Sequence, residues 1–175
     1  MMRNVMPIAV FVASLVAFSS PARATLLLGS LSLEETTRQA DRIAYGKVTD
    51  VRVATDDAGL TATWVTLEVR RGLKGVAAGN LTIKQFGDCS AADLQPIGRV
   101  PGLPLYVPGE EIVFFLRGNS ARGFTSPVGF EGGIYRVHVV GTRRSARSVG
   151  SPADENLETL LGKVADIVQR QSTEE

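Results

Sequence analysis

A single cysteine and a single histidine stand in 175 residues, and that scarcity removes several chemistries. A zinc site made of His and Cys side chains needs about three or four of them. A disulfide framework needs paired cysteines within the chain. Charge of one sign is just as scarce: 19 Lys and Arg against 18 Asp and Glu give a formal net charge of +1. No basic surplus points at nucleic acid. The sequence also lacks a Gly-x-Ser-x-Gly elbow, a Walker loop, a His-Glu-x-x-His motif and an Asp-x-Asp-x-Asp loop, so the commonest hydrolase, phosphate, zinc and calcium signatures are missing. What is present, at 44% hydrophobic and 21% charged residues, has the balance of one globular domain and not of a disordered tail or a membrane bundle.

The first 24 residues read as an address. Arg3 supplies a positive start, Val5 to Phe18 is apolar apart from Pro7 and Ser14, and Ser19-Ser20-Pro21 ends the run. Ala22-Arg23-Ala24 sets small residues where signal peptidase needs them, which predicts cleavage before Thr25. The apolar run is shorter than the roughly 20 residues of a spanning helix, which argues against a membrane anchor. No Cys follows it to carry a lipid. The expected location is extracytoplasmic, secreted or periplasmic, with no stable membrane anchor after cleavage. Loss of Arg3 and Arg23 takes the net charge to −1, so strong steering toward polyanions or anionic lipid is not expected.

Residues 25–41 are expected to hold a short helix, because Ser32-Leu33-Glu34-Glu35 has the form of a capping box. Period-two patterning from Ile43 to Val53 and from Thr61 to Val69 predicts two long strands. The turn cluster Thr55-Asp56-Asp57-Ala58-Gly59 joins them as a hairpin. Leu81 to Phe86 is a third strand. Ile112-Val113-Phe114-Phe115-Leu116 has no alternation and predicts a strand buried on both faces. Phe124 to Val128 is a candidate short strand, and Ile134 to Val140 a further one. Residues 141–150, with Arg143, Arg144 and Arg147, read as an exposed basic loop. Ser151-Pro152-Ala153-Asp154 reads as the start of a helix over residues 151–175. Its stripe Leu157, Leu160, Leu161, Val164, Ile167 and Val168 is expected to pack on the sheet. The fold class is therefore mainly β: a small OB-like antiparallel barrel over 42–140 with a helix at each end, and a β-sandwich as the alternative. Gly46 and Gly72 are the candidate barrel corners.

Three runs carry a resemblance: Ala40-Asp41-Arg42-Ile43-Ala44-Tyr45-Gly46-Lys47-Val48; Val65 to Val69 with Leu73-Lys74-Gly75; and Pro108-Gly109-Glu110-Glu111 with Ile112 to Leu116. Over about Leu33 to Val140 the chain resembles secreted bacterial domains of unassigned function. More distantly it is similar to the netrin-like OB barrel of tissue inhibitors of metalloproteinases. The resemblance implies the barrel and a protein-binding role, with a peptidase among the partner classes. Those inhibitors chelate the protease zinc through a disulfide-bonded N-terminal Cys. Here the expected N-terminus is Thr25 and the lone Cys is Cys89, so that mechanism does not carry over.

The candidate contact surface is the long proline-bearing loop 87–109, with Cys89, Leu103, Leu105 and Tyr106; Trp64 is a possible stacking platform. Cys89, as an odd thiol in an exported chain, is expected to be exposed enough to link two chains in a disulfide dimer, with burial as the alternative. Cys89 and His138 carry no local protease signature. The turn acids Asp56, Asp57, Asp88, Asp93, Glu110 and Glu111 are ordinary turn chemistry as well as conceivable acid–base pairs. Gly129-Phe130-Glu131-Gly132-Gly133 reads as a hairpin turn, since a phosphate cradle needs a strand–loop–helix context. The expectation is a non-enzymatic module that binds a protein and uses no metal or cofactor. Its alternatives are a hydrolase using loop carboxylates and an oligosaccharide-binding OB domain.

Overall fold

The computed structural model describes residues 31–91, 99–151 and 153–174. The expected leader, residues 1–24, and Asp93 lie outside the described residues.

Helix α1 spans Leu33–Gln39, and Ser32 caps it: its hydroxyl accepts the Glu35 N–H at 3.1 Å. The reciprocal half of the box is not made, because the Glu35 carboxylate turns to Arg38 and Gln39 on the next turn. Strands β1 (Arg42–Thr55) and β2 (Thr61–Lys74) form the expected hairpin. Asp56 closes its turn by accepting from the Ala58 and Leu60 N–H groups, both at 2.9 Å. The β1–β2 register shifts at Ile43/Ala44, Tyr45/Gly46 and Val48/Asp50. Such bulges bend and coil long strands. The two proposed corner glycines are sterically required: a Cβ on Gly46 would lie 2.5 Å from the Glu68 carbonyl oxygen, and one on Gly72 2.0 Å from that of Val76.

The sheet continues with β3 (Gly79–Phe86), β4 (Glu111–Leu116), β5 (Ile134–Val140), β6 (Arg143–Ser148) and β7 (Glu155–Asn156), before helix α2 (Leu157–Glu174). All seven strands pair antiparallel in the order β3-β2-β1-β4-β5-β6-β7. The fold is mainly β with a helix toward each end, and the named strands make one open sheet. The alternative of two packed sheets is therefore not what these strands form. Phe124 to Val128 is not a regular strand. It touches β3 through a parallel bridge, Lys84 with Phe124, and β4 through an antiparallel one, Leu116 with Pro127.

Each face of the sheet carries its own core. One contains Ala44, Val48, Val65, Leu67, Ile83, Ile112, Phe114 and Leu116. The other contains Ile43, Tyr45, Val113 and Phe115 under Leu157, Leu160, Leu161 and Val164 of α2. Strand β4 feeds both, which explains its unbroken apolar run. The stripe of α2 seats on the chain's own sheet.

Two local expectations are corrected. Residues 141–150 are not a loop: six of them form β6, paired with β5 from Val140/Arg143 to Tyr135/Ser148. Helix α2 begins at Leu157, six residues after Ser151, and Asn156 serves its first turn by accepting the Thr159 N–H at 3.1 Å. Ser151 instead bonds the Ala153 carbonyl.

Candidate functional site

The glycine-rich run after β4 shapes an open recess. Pro127 and Val128 are tied to β4, with the Val128 N–H donating to the Phe115 carbonyl at 2.9 Å. Gly129 and Phe130 then both take left-handed backbone, φ 66° and 57°. That region is uncommon for a residue with a bulky side chain. A single 3₁₀ turn over Phe130–Gly133 follows. It is held by the Glu131 N–H on the Gly102 carbonyl at 2.9 Å. Gly133 can be nothing larger, since a Cβ there would lie 2.3 Å from the Val128 oxygen. The strained turn pushes the Phe130 ring outward, 42% exposed.

The recess lies between this turn, the start of α1 and the far ends of β5 and β6, and has a volume of about 720 Å³. Leu31, Leu33, Val128, Phe130, Tyr135 and Val149 give it an apolar lining. Val149 is 60% exposed at the rim. Arg117 and Glu131 add one charge of each sign, and Arg117 donates to the Gln39 side-chain oxygen at 2.5 Å. Burial raises the Tyr135 hydroxyl above its ordinary range, while its bond to Ser148 partly offsets that effect. An apolar recess with a few polar groups is the usual form of a binding site. Nothing in it resembles a nucleophile paired with a base.

A second feature lies on the outer side of β1, β2 and β3. The Arg52 guanidinium sits 4.4 Å over the Trp64 ring, and Lys84 sits 4.2 Å from the centre of the Phe124 ring. Phe86 meets Phe124 edge-on at 5.7 Å. Lys84 also pairs with Asp56 at 2.8 Å, which lowers the Asp56 carboxyl below its usual range.

Of the expected contact residues, Trp64 alone stands in a partly open cluster. Cys89 and Tyr106 are buried side by side in backbone terms: the Tyr106 N–H donates to the Cys89 carbonyl at 2.8 Å. Thr63 secures the turn, accepting from the Cys89 N–H at 2.9 Å and donating to the Gly87 carbonyl at 2.7 Å. Leu103 packs on the same core, and Leu105 gives its carbonyl to Arg136 at 2.7 Å. In the described parts of loop 87–109, Cys89 and Tyr106 thus plug the end of the core, while Val107 stays 46% exposed. Exposure of the thiol is corrected: Cys89 is 1% exposed, and burial pushes it up to about 11. An interchain disulfide through it requires this plug to open.

The turn acids do not converge. Asp56 serves Lys84, Asp88 caps the Ser90 N–H, Glu110 pairs with Arg136, and Glu111 is held by Tyr45, Arg70 and Arg144. Its three donors hold the Glu111 carboxyl below its usual range, against the raising effect of burial. Among the described residues no group of three or more His, Cys, Asp or Glu side chains could hold a metal ion. Nor is any described helix long and apolar enough to cross a membrane. The recess was missed in the sequence because five separated segments build it. The available signal was the rim pair of bulky apolar residues, Phe130 and Val149, each beside glycine.

The chain matches no protein-family model and no curated protein.

Proposed function

We propose that the protein is an exported, non-enzymatic module that binds another protein through the Phe130-rimmed recess. The observation that carries the reading is the left-handed Phe130 at φ 57°. A strained backbone that presents an apolar ring to solvent is costly, and such strain clusters at binding sites. The paired acids support the non-enzymatic part, since Asp56, Asp88, Glu110 and Glu111 each already serve a structural cation or backbone group. The Arg3-led apolar run and Ala22-Arg23-Ala24 support export to the secreted or periplasmic space.

The barrel belongs to the same proposal. Its support is the segment 124–128, which touches the edge strand β3 at Lys84 and the interior strand β4 at Leu116 and so links the two. A parallel contact of that kind is what an OB-like closure needs. The netrin-like resemblance adds a peptidase as one class of partner, without the zinc-chelating terminus.

A second reading has one observation in its favour. Arg52, Trp64, Lys84 and Phe124 form an aromatic and cationic strip on the sheet's outer side, a surface on which an oligosaccharide can stack.

A photo-crosslinking side chain at position 130, used in the exported protein, tests the first reading. One discrete adduct is expected, and the purified partner should bind Phe130→Asp at least about ten-fold more weakly, since buried apolar anchors dominate such contacts. Equal binding by Phe130→Asp would overturn it.

A further inference from the structure

The β5–β6 hairpin outruns the sheet that supports it. Strand β5 pairs with β4 only at Ile134, Tyr135 and Arg136. It stays paired with β6 out to Val140 and Arg143. Residues 139–144 therefore project as a two-stranded ribbon, turned at Gly141 in left-handed backbone with φ 62°. At the tip, Val139 is 66% and Val140 is 70% exposed, more than any other large apolar side chain described. Polar residues ordinarily occupy a projecting turn, because a ribbon of two strands has no core of its own.

The geometry narrows what can cover these valines. Neighbours along a strand point to opposite faces. Val139 and Val140 therefore present apolar surface on both sides of the ribbon, and a flat protein surface would cover one and leave the other wet. A medium that surrounds the tip covers both. Charge narrows it further. From Arg136 to Arg147 every fully charged side chain is an arginine. Arg136 and Arg144 are tied back to Glu110 and Glu111 at the base of the ribbon. The Arg143 side chain, next to the turn, is exposed and has no hydrogen bond or ion pair among the described residues.

We propose that the Val139–Val140 tip is a reversible contact for an anionic lipid surface. The two valines enter the interface between headgroups and acyl chains, and Arg143 meets a lipid phosphate. This is a peripheral contact, far weaker than an anchor. It stands independently of what the Phe130-rimmed recess binds.

The test is co-sedimentation of the exported protein with vesicles of phosphatidylglycerol and phosphatidylcholine, against vesicles of phosphatidylcholine alone. Wild type is expected on the anionic vesicles only, with binding weakened by salt. Val139→Ser/Val140→Ser should lower it by about ten-fold or more, as loss of two apolar side chains from an interface predicts. Arg143→Glu should lower it as well. An unchanged melting temperature in both variants shows that the fold is intact. Equal sedimentation of wild type and the double variant would overturn the proposal, as would no binding to either vesicle. So would valine variants that lose a purified protein partner yet keep vesicle binding, which would assign the tip to a protein pocket.

Discussion

Lys84 on β3 accepts a backbone hydrogen bond of 2.9 Å from Thr125, a residue that follows β4. That bond joins the free edge of the sheet to the segment that also pairs with β4 through the Val128 N–H on Phe115. The barrel proposed above depends on this short run. The Thr125 amide should therefore exchange with solvent as slowly as the amides of β4, because both open only with the core. Exchange at the rate of an exposed loop would show that the edge is open in solution.

Much of this frame was legible in the chain. The apolar run of β4 announced burial on both faces. The Ser32 cap and the α2 stripe announced the helices. Strand β6 was not legible, because Arg-Arg-Ser-Ala-Arg-Ser has one buried apolar residue, Ala146. Its place is set by pairing with β5 and by arginines reaching Glu111 and Asp154. Tyr106 and Cys89 read as loop residues since prolines surround them, yet a backbone bond between them pulls both inside. The recess is assembled from segments far apart in the chain, so no local pattern announced it.

Leu161 lies under the sheet at 1% exposure, packed in the core beneath α2. Leu161→Ala should cost about 2–5 kcal/mol, the transfer and cavity cost of a buried leucine. Chemical denaturation measures it. A loss below 0.5 kcal/mol, the range of exposed positions, would mean that α2 is not docked.

Gly133 closes the 3₁₀ turn against Val128, whose oxygen and nitrogen would lie 2.3 and 2.9 Å from an added Cβ. Neither is the end of a flexible side chain. Gly133→Ala should cost roughly 1–3 kcal/mol, as overpacking does, and should shift the recess with it. Gly59→Ala, where φ is +76° but nothing stands within 4 Å, separates steric overlap from backbone strain alone.

Cys89 titrates at about 11 in the folded chain, above the ordinary value of about 8.5. The unfolded chain thus loses its thiol proton first. The stability this contributes is complete below the ordinary value and is lost as pH rises from about 8.5 toward 11. Within that window the slope is about 1.4 kcal/mol per pH unit or less. Cys89→Ala should flatten that part of the stability profile relative to wild type. At pH 8 a thiol reagent should label denatured chains fully and native chains hardly at all. Rapid native labelling would place the thiol at the surface and return the disulfide dimer to consideration.

The central claim is that a strained phenylalanine rims a site for an apolar protein segment. Peptides displayed at random and selected on the purified protein test it most directly, each enriched peptide then being titrated against wild type, Phe130→Asp and Lys163→Glu. Lys163 pairs with Glu155 on the exposed side of α2 and does not line the recess. The account predicts enrichment of apolar sequences whose affinity falls at least about ten-fold in Phe130→Asp and is unchanged in Lys163→Glu. Selected peptides that bind wild type and Phe130→Asp equally, or no enrichment at all, would contradict it.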